Sequence, residues 1–280
     1  MKKYLLHAVF LMTVFALSPL SAQEDEPGKE LRMAALIGDD ETIMELLDSG
    51  KVEVDDMNQF GKTALMTAVE GDHFETVTML LNRGADVNVV TVAGCTALTF
   101  AAENGHSGIM AMLLERGADI NARTRSGWNS LMIAAQYGLA DIVAQLLFKG
   151  ANPNFLDPDN RTPLILAVDE GQGAVVPSLV EYGANIDHRD ADGTSALLLA
   201  TSKGDVEMVE LLLEQGAGVN VRDLDGISPL MEAVSMGETE IAELLLQYGA
   251  DPEQKDDSGT SVRDLAEKQG NAKMSALFQK

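Results

Sequence analysis

The feature that most constrains this chain is its period. Glycine recurs at Gly61, Gly94, Gly127, Gly193, Gly226 and Gly259 on a 33-residue grid, with Asn160 in the missing slot. A second glycine grid holds Gly84, Gly117, Gly150, Gly183, Gly216 and Gly249. A leucine grid holds Leu65, Leu98, Leu131, Leu164, Leu197 and Leu230, and an alanine grid Ala68, Ala101, Ala134, Ala167, Ala200 and Ala233. Four aligned grids mean one elongated stack of like units. Each unit buries its apolar surface only against its neighbours. The usual division of a 280-residue chain into two globular domains therefore does not apply.

One unit shows the local logic. Asp225-Gly226 makes a turn, Ser228 can cap a helix, and Pro229 fits its first position. Leu230 and Ala233 share one helical face. Gly237 breaks the chain before a second helix with Ile241, Leu244 and Leu245 at helical spacing. Gly249 then ends that helix as a left-handed C-cap would. The small alanine lets neighbouring helices approach. The paired leucines, such as Leu80-Leu81 and Leu146-Leu147, fill the space between repeats.

Gly61-Lys62-Thr63-Ala64-Leu65, Arg161-Thr162-Pro163-Leu164 and Gly117-Ala118-Asp119-Ile120-Asn121-Ala122 resemble the ankyrin repeat. The resemblance covers residues 29–280. It implies an all-α solenoid of stacked helix-turn-helix units with hairpin-like loops. Full repeats fall at 58–90, 91–123, 124–156, 157–189, 190–222 and 223–255. An N-cap spans 29–57, with one extra residue after Gly50, and a C-cap spans 256–280, with Arg263 at the core-leucine position. Caps are expected to carry polar outer faces, and Glu30, Lys268, Asn271 and Lys273 fit that. Where the family often has a helix-1 histidine, this chain has Met66, Thr99, Met132, Ile165, Leu198 and Met231, so apolar packing replaces a hydrogen bond. Pro177 falls inside a second helix and predicts a kinked or shortened one.

The N-terminus reads as an export signal. Lys2 and Lys3 precede an apolar run from Leu5 to Leu17, and Ser18-Pro19-Leu20-Ser21-Ala22 supplies the small-residue cleavage site. The run is short for a membrane span. Cleavage after Ala22 leaves an acidic linker, 23–28, before the array. The short two-lysine segment has a bacterial character, and the expected location is periplasmic or secreted. Loss of Lys2 and Lys3 takes the formal charge from −24 to −26. So acidic a surface argues against generic nucleic-acid binding. A single cysteine excludes an internal disulfide framework and a Cys-based structural zinc site.

No nucleophile elbow, phosphate loop or metalloprotease motif is present, and the chain reads as a non-enzyme with no cofactor. His73 and His106 share one repeat position at the start of helix 2; a structural role outweighs a metal pair without carboxylates at ligand spacing. Asp157-x-Asp159, Asp190-x-Asp192 and Asp223-x-Asp225 suit turn chemistry better than an incomplete calcium loop. Cys95 is expected at an exposed turn, where it reads as a tolerated small residue rather than a reactive thiol. Asn160-Arg161-Thr162 is a glycosylation sequon, relevant in a eukaryotic host.

The resemblance places partners on the concave face made by turn tips and first helices. Mapped here, that face carries Phe60, Arg123, Arg125, Trp128, Tyr137, Leu156, Arg161, Arg189, Lys203 and Met236 as partner-binding residues. Trp, Tyr and Arg are enriched in binding hot spots. Trp128 and Tyr137 are the expected anchors, with the arginines facing an acidic partner surface. The competing expectation is internal: repeat-end arginines pairing with turn aspartates, such as Arg189 with Asp190 or Asp192, and Trp128 folding over a neighbour. The resulting reading is a monomeric interaction module that binds another protein outside the cytoplasm through repeats 91–189. The alternatives are a stoichiometric inhibitor or protector of an exported enzyme or toxin, and a secreted host-directed effector. No membrane contact is expected once the signal is removed.

Overall fold

A computed structural model describes residues 27–278. Its helices come in antiparallel pairs, one pair per unit. In chain order these are α1 (Pro27–Ile37) and α2 (Asp40–Asp48), α3 (Ala64–Glu70) and α4 (Phe74–Asn82), α5 (Ala97–Asn104) and α6 (Ser107–Glu115), and α7 (Ser130–Gln136) and α8 (Ala140–Phe148). The series continues with α9 (Pro163–Asp169) and α10 (Val176–Glu181), α11 (Ala196–Ser202) and α12 (Val206–Glu214), α13 (Pro229–Met236) and α14 (Thr239–Gln247), and α15 (Val262–Gln269) and α16 (Ala272–Leu277). No strand occurs among the described residues, only isolated antiparallel bridges Arg189–Ser195 and Lys255–Ser261 at turn bases. The cleavage site and most of the acidic linker lie outside the described residues. α1 starts at Pro27, two residues before the expected N-cap, because proline suits a first helical turn.

Each first helix from α3 onward begins at a buried cap. Thr63, Thr96, Asn129, Thr162, Ser195, Ser228 and Ser261 each accept a hydrogen bond from the N–H three residues on. Removing such a cap costs about 1 kcal/mol. The helix-ending glycines take the left-handed conformation expected of them, as at Gly249 (φ 87°). The grid leucines and alanines are buried throughout, as are Met66, Thr99, Met132, Ile165, Leu198 and Met231. Nearly all of this belongs to one continuous core running through the array.

Units are also stitched along their loops. Asn88 accepts from Asp119 N–H at 2.8 Å and donates to the Gly117 carbonyl at 3.0 Å. Asn154 repeats this with Asn185 and Gly183, and Asn220 with Asp251 and Gly249. Turn tips are joined by their backbones, Val92 N–H to Phe60 at 2.8 Å and Arg125 N–H to Ala93 at 2.7 Å. Gly94 allows that approach, since a side chain there would lie 2.8 Å from the Arg125 nitrogen. These stitches fix the register of neighbouring turn tips.

Pro177 shortens its helix, as expected. The segment begins with a 3-10 turn, Gly173–Val175, so that Pro177 falls in the first turn of α10. There its missing N–H forgoes no helical bond. Val175, Val176 and Leu179 remain buried, so the stack stays closed at this point. At the C-terminal end Arg263 is exposed and pairs with Glu253 at 2.7 Å, consistent with an open outer face.

Candidate functional site

The expected contact residues divide into two groups once their partners are known. Trp128 belongs to the fold. It is half-buried against Met132, Phe155 and Leu166, and its Nε1 donates to Asp157 Oδ2 at 3.3 Å. Arg161 donates to the same carboxylate through Nε at 2.9 Å, with its guanidinium 5.8 Å from the indole centroid. Asp157 itself is buried and also accepts the Asp159 and Arg161 N–H groups. A buried carboxylate must be paired, and Trp128 and Arg161 meet that need. The expectation of Trp128 as a free anchor is therefore corrected: it folds over the next repeat.

Lys203, of the expected cations, and two further basic residues are likewise matched within the molecule. Lys62 pairs with Glu70, Lys203 with Asp169 at 2.6 Å, and Arg222 with Asp257 at 2.6 Å. Arg189 does not pair with Asp190 or Asp192; its Nη1 donates to the Arg222 carbonyl at 2.8 Å. Arg123 lies over the Phe155 ring, 4.0 Å from the centroid, and stays exposed. Arg125 is exposed at a turn tip. Among the described residues neither Arg123 nor Arg125 has a carboxylate within ion-pair distance.

What stays open to solvent is a line of tips. Phe60 is 52% exposed and Val92 54%, with Val90 beside them and Leu156 further along. On the surface of the first helices below the tips, the palm, Tyr137 is 47% exposed. Burial pushes its phenol up, and the Glu103 and Glu170 carboxylates add to that. Met236 is exposed but lies three repeats further on, so it does not join this cluster.

The palm holds a second cluster that sequence reasoning did not assemble. Lys62 sits 5.1 Å from the Phe100 centroid while paired with Glu70. The next carboxylate, Glu103, is half-buried and pushed up, first by burial and then by Glu70. Cys95 stands where Lys62 stands one repeat earlier. It is half-buried rather than exposed, and burial raises its thiol. At the N-terminal end the same palm line carries exposed Met33, Leu36 and Ile37, which are 55%, 39% and 67% exposed. The N-cap therefore presents an apolar triplet on this side, while Glu30 is exposed as expected. The signal was legible as an i, i+3, i+4 triplet, but only a 34-residue offset (Leu31 to Leu65, Gly50 to Gly84) shows which face it occupies.

The histidines are structural. His73 Nε2 lies 2.9 Å from the Leu36 carbonyl, and His106 Nδ1 lies 3.1 Å from Asp72 Oδ1. Each ties a unit to the one before it. The recurring Asp-x-Asp pairs serve their own turns: Asp190 Oδ1 accepts from the Asp192 and Thr194 N–H groups, and Asp223 Oδ1 from Asp225 and Ile227.

Comparison with known proteins agrees with this construction. A family model described as ankyrin repeats (3 copies) matches at residues 31–124, 122–190 and 174–256. The crystal structure of the human ASB11 ankyrin repeat domain is similar at 28% identity with a TM-score of 0.68, covering 79% of this chain and 98% of that one. Among curated proteins no sequence match is found. With the repeat grid, the helix pairs and the family model in agreement over most of its length, this chain belongs to the ankyrin repeat family, whose arrays are in general protein–protein interaction modules and typically non-catalytic scaffolds.

Proposed function

We propose that this chain is an exported interaction module, periplasmic or secreted, that binds a partner protein along its concave face. The observation that carries the reading is the line of exposed apolar tips, Phe60, Val90, Val92 and Leu156, flanking Arg123 and Arg125 above Tyr137. Contiguous apolar exposure rimmed by charge marks an interaction site. Among the described residues the two arginines have no carboxylate within ion-pair distance, and they suit a carboxylate on the partner. The tips are held by backbone bonds between repeats, so little ordering cost is added on binding.

The test is affinity capture from periplasmic or culture-medium extract with residues 23–280 as bait. The double variant Phe60→Ala, Tyr137→Ala runs beside it. Both residues are exposed, so thermal stability should change by no more than about 0.5 kcal/mol. A protein retained by wild type and lost by the folded variant is the expected result. Equal capture by both would refute the concave site. Trp128→Ala is unsuited to this purpose, because it removes packing on Met132, Phe155 and Leu166; a fully buried tryptophan costs roughly 3–5 kcal/mol, and this half-buried one should cost less than that but enough to destabilise the array. Intact-mass measurement of the exported protein should find Gln23 as the first residue.

A further inference from the structure

The N-terminal third of the palm combines two chemistries side by side. α1 packs on α3, and the 34-residue offset sets Leu36 in register with Glu70 and Met33 with Thr67. Met33, Leu36 and Ile37 are spaced on one helical face and are exposed. Next along the palm come Glu70 and Glu103, with the Phe100 ring beside Lys62 and the exposed Tyr137 one repeat further on. The molecule already shows what this lining accepts. Lys62 is seated with its ammonium on the Glu70 carboxylate and over the Phe100 ring. One repeat later the same position holds Cys95, which supplies no cation, while the matching carboxylate Glu103 is kept. Lys62 acts on Glu103 from a distance, but it is committed to Glu70, and among the described residues no cation lies within ion-pair distance of Glu103. A half-buried carboxylate next to aromatic faces gains more from a cation than an exposed one would.

From this we infer that the palm of residues 29–137 recognises a basic–apolar segment of the partner protein, aliphatic side chains lying on Met33, Leu36 and Ile37 and a Lys or Arg entering beside Glu103 and Tyr137. This rests on the concave-face reading and names the partner's chemistry at that face. It is opposite in sign to what Arg123 and Arg125 select at the tips. The partner is thus bipolar: cationic where it reaches the palm, and carboxylate-bearing where it crosses the tips. Of the occupants such a surface could take, a second copy is the poorest match, since two chains of charge −24 repel each other.

The probe is a library of random 12-residue peptides displayed on phage and selected on residues 23–280. The expected result is enrichment of peptides that place Lys or Arg within a few residues of Leu, Ile, Val or Met. Their affinity should fall at least tenfold on Glu103→Lys or on Ile37→Asp, and should weaken from low to physiological salt. Both positions lie off the core, and unchanged helical circular dichroism and melting would confirm that the variants fold. Cys95→Lys offers an independent readout. It restores the internal cation and should compete with the incoming one, so the selected peptides should bind it several-fold more weakly. Enrichment of acidic peptides that depend on Arg123 and Arg125 would overturn this inference while leaving the concave-face reading intact. Peptides insensitive to all these changes, or no enrichment at all, would overturn both.

Discussion

Asn160 occupies a turn position that is glycine in the other repeats, and its φ of 56° places it in the left-handed region. Asparagine adopts that region more readily than most residues. Asn160→Ala should therefore cost about 1–2 kcal/mol, whereas Asn160→Gly should be neutral or slightly stabilising; urea unfolding would measure both. A second exchange was not legible beforehand. Between α3 and α4 the left-handed residue is Asp72 (φ 57°), and Gly71 stays in the right-handed region. Gly71 is required there for space: a side chain would come within 2.5 Å of the His73 ring and 2.7 Å of the Leu36 carbonyl. Sequence marks a break at this point, but which residue bends is decided by the neighbouring repeat.

Among the elements, α10 shows how a local rule can be satisfied by moving a boundary. A proline in a helix interior costs about 3 kcal/mol or more. Here the cost is avoided by starting the α-helix at Val176, after a 3-10 turn. Pro177→Ala should consequently change stability by less than about 1 kcal/mol, and calorimetric melting would show whether the larger interior penalty had been stored instead. The caps, the turn glycines and the buried leucines were all legible, because each serves its own helix. The asparagine stitches were present in the sequence as Asn88, Asn154 and Asn220, yet their role depends on a carbonyl about 29 residues away.

At the scale of the whole molecule, charge is the dominant long-range term. A formal charge of −24 opposes compaction, while the internal ion pairs are mostly exposed and each contribute about 0–1 kcal/mol. Repulsion should win. Thermal midpoints should rise as salt goes from roughly 10 mM to 150 mM, where the screening length falls from about 30 Å to about 8 Å. A falling midpoint would mean that the pairs dominate. Acid should act in the same direction at first. Burial raises Asp55, Glu103, Asp190 and Glu232, so the folded chain holds these protons more tightly than the unfolded one. Their contribution to stability grows as pH falls from neutral toward the ordinary carboxylate range. Below it, the cap and turn carboxylates Asp39, Asp256 and Asp264, which are lowered by their hydrogen bonds, lose what they contribute.

The amino-acid sequence by itself determined the repeat length, the family, the helix caps and the buried leucine and alanine grids, because these follow from period, propensity and nearest-neighbour stacking. It also assigned side chains to turn tips and first helices by register. Only the tertiary structure decided which of those side chains are free. Trp128 and Arg161 were claimed by Asp157, Lys203 by Asp169 and Arg222 by Asp257, contacts that for all but Arg161–Asp157 join different units of the array. Whether a charge is free or paired depends on a distance of a few ångströms between residues up to 35 positions apart, and a one-residue change of offset, as in the N-cap, moves an apolar triplet onto a different face.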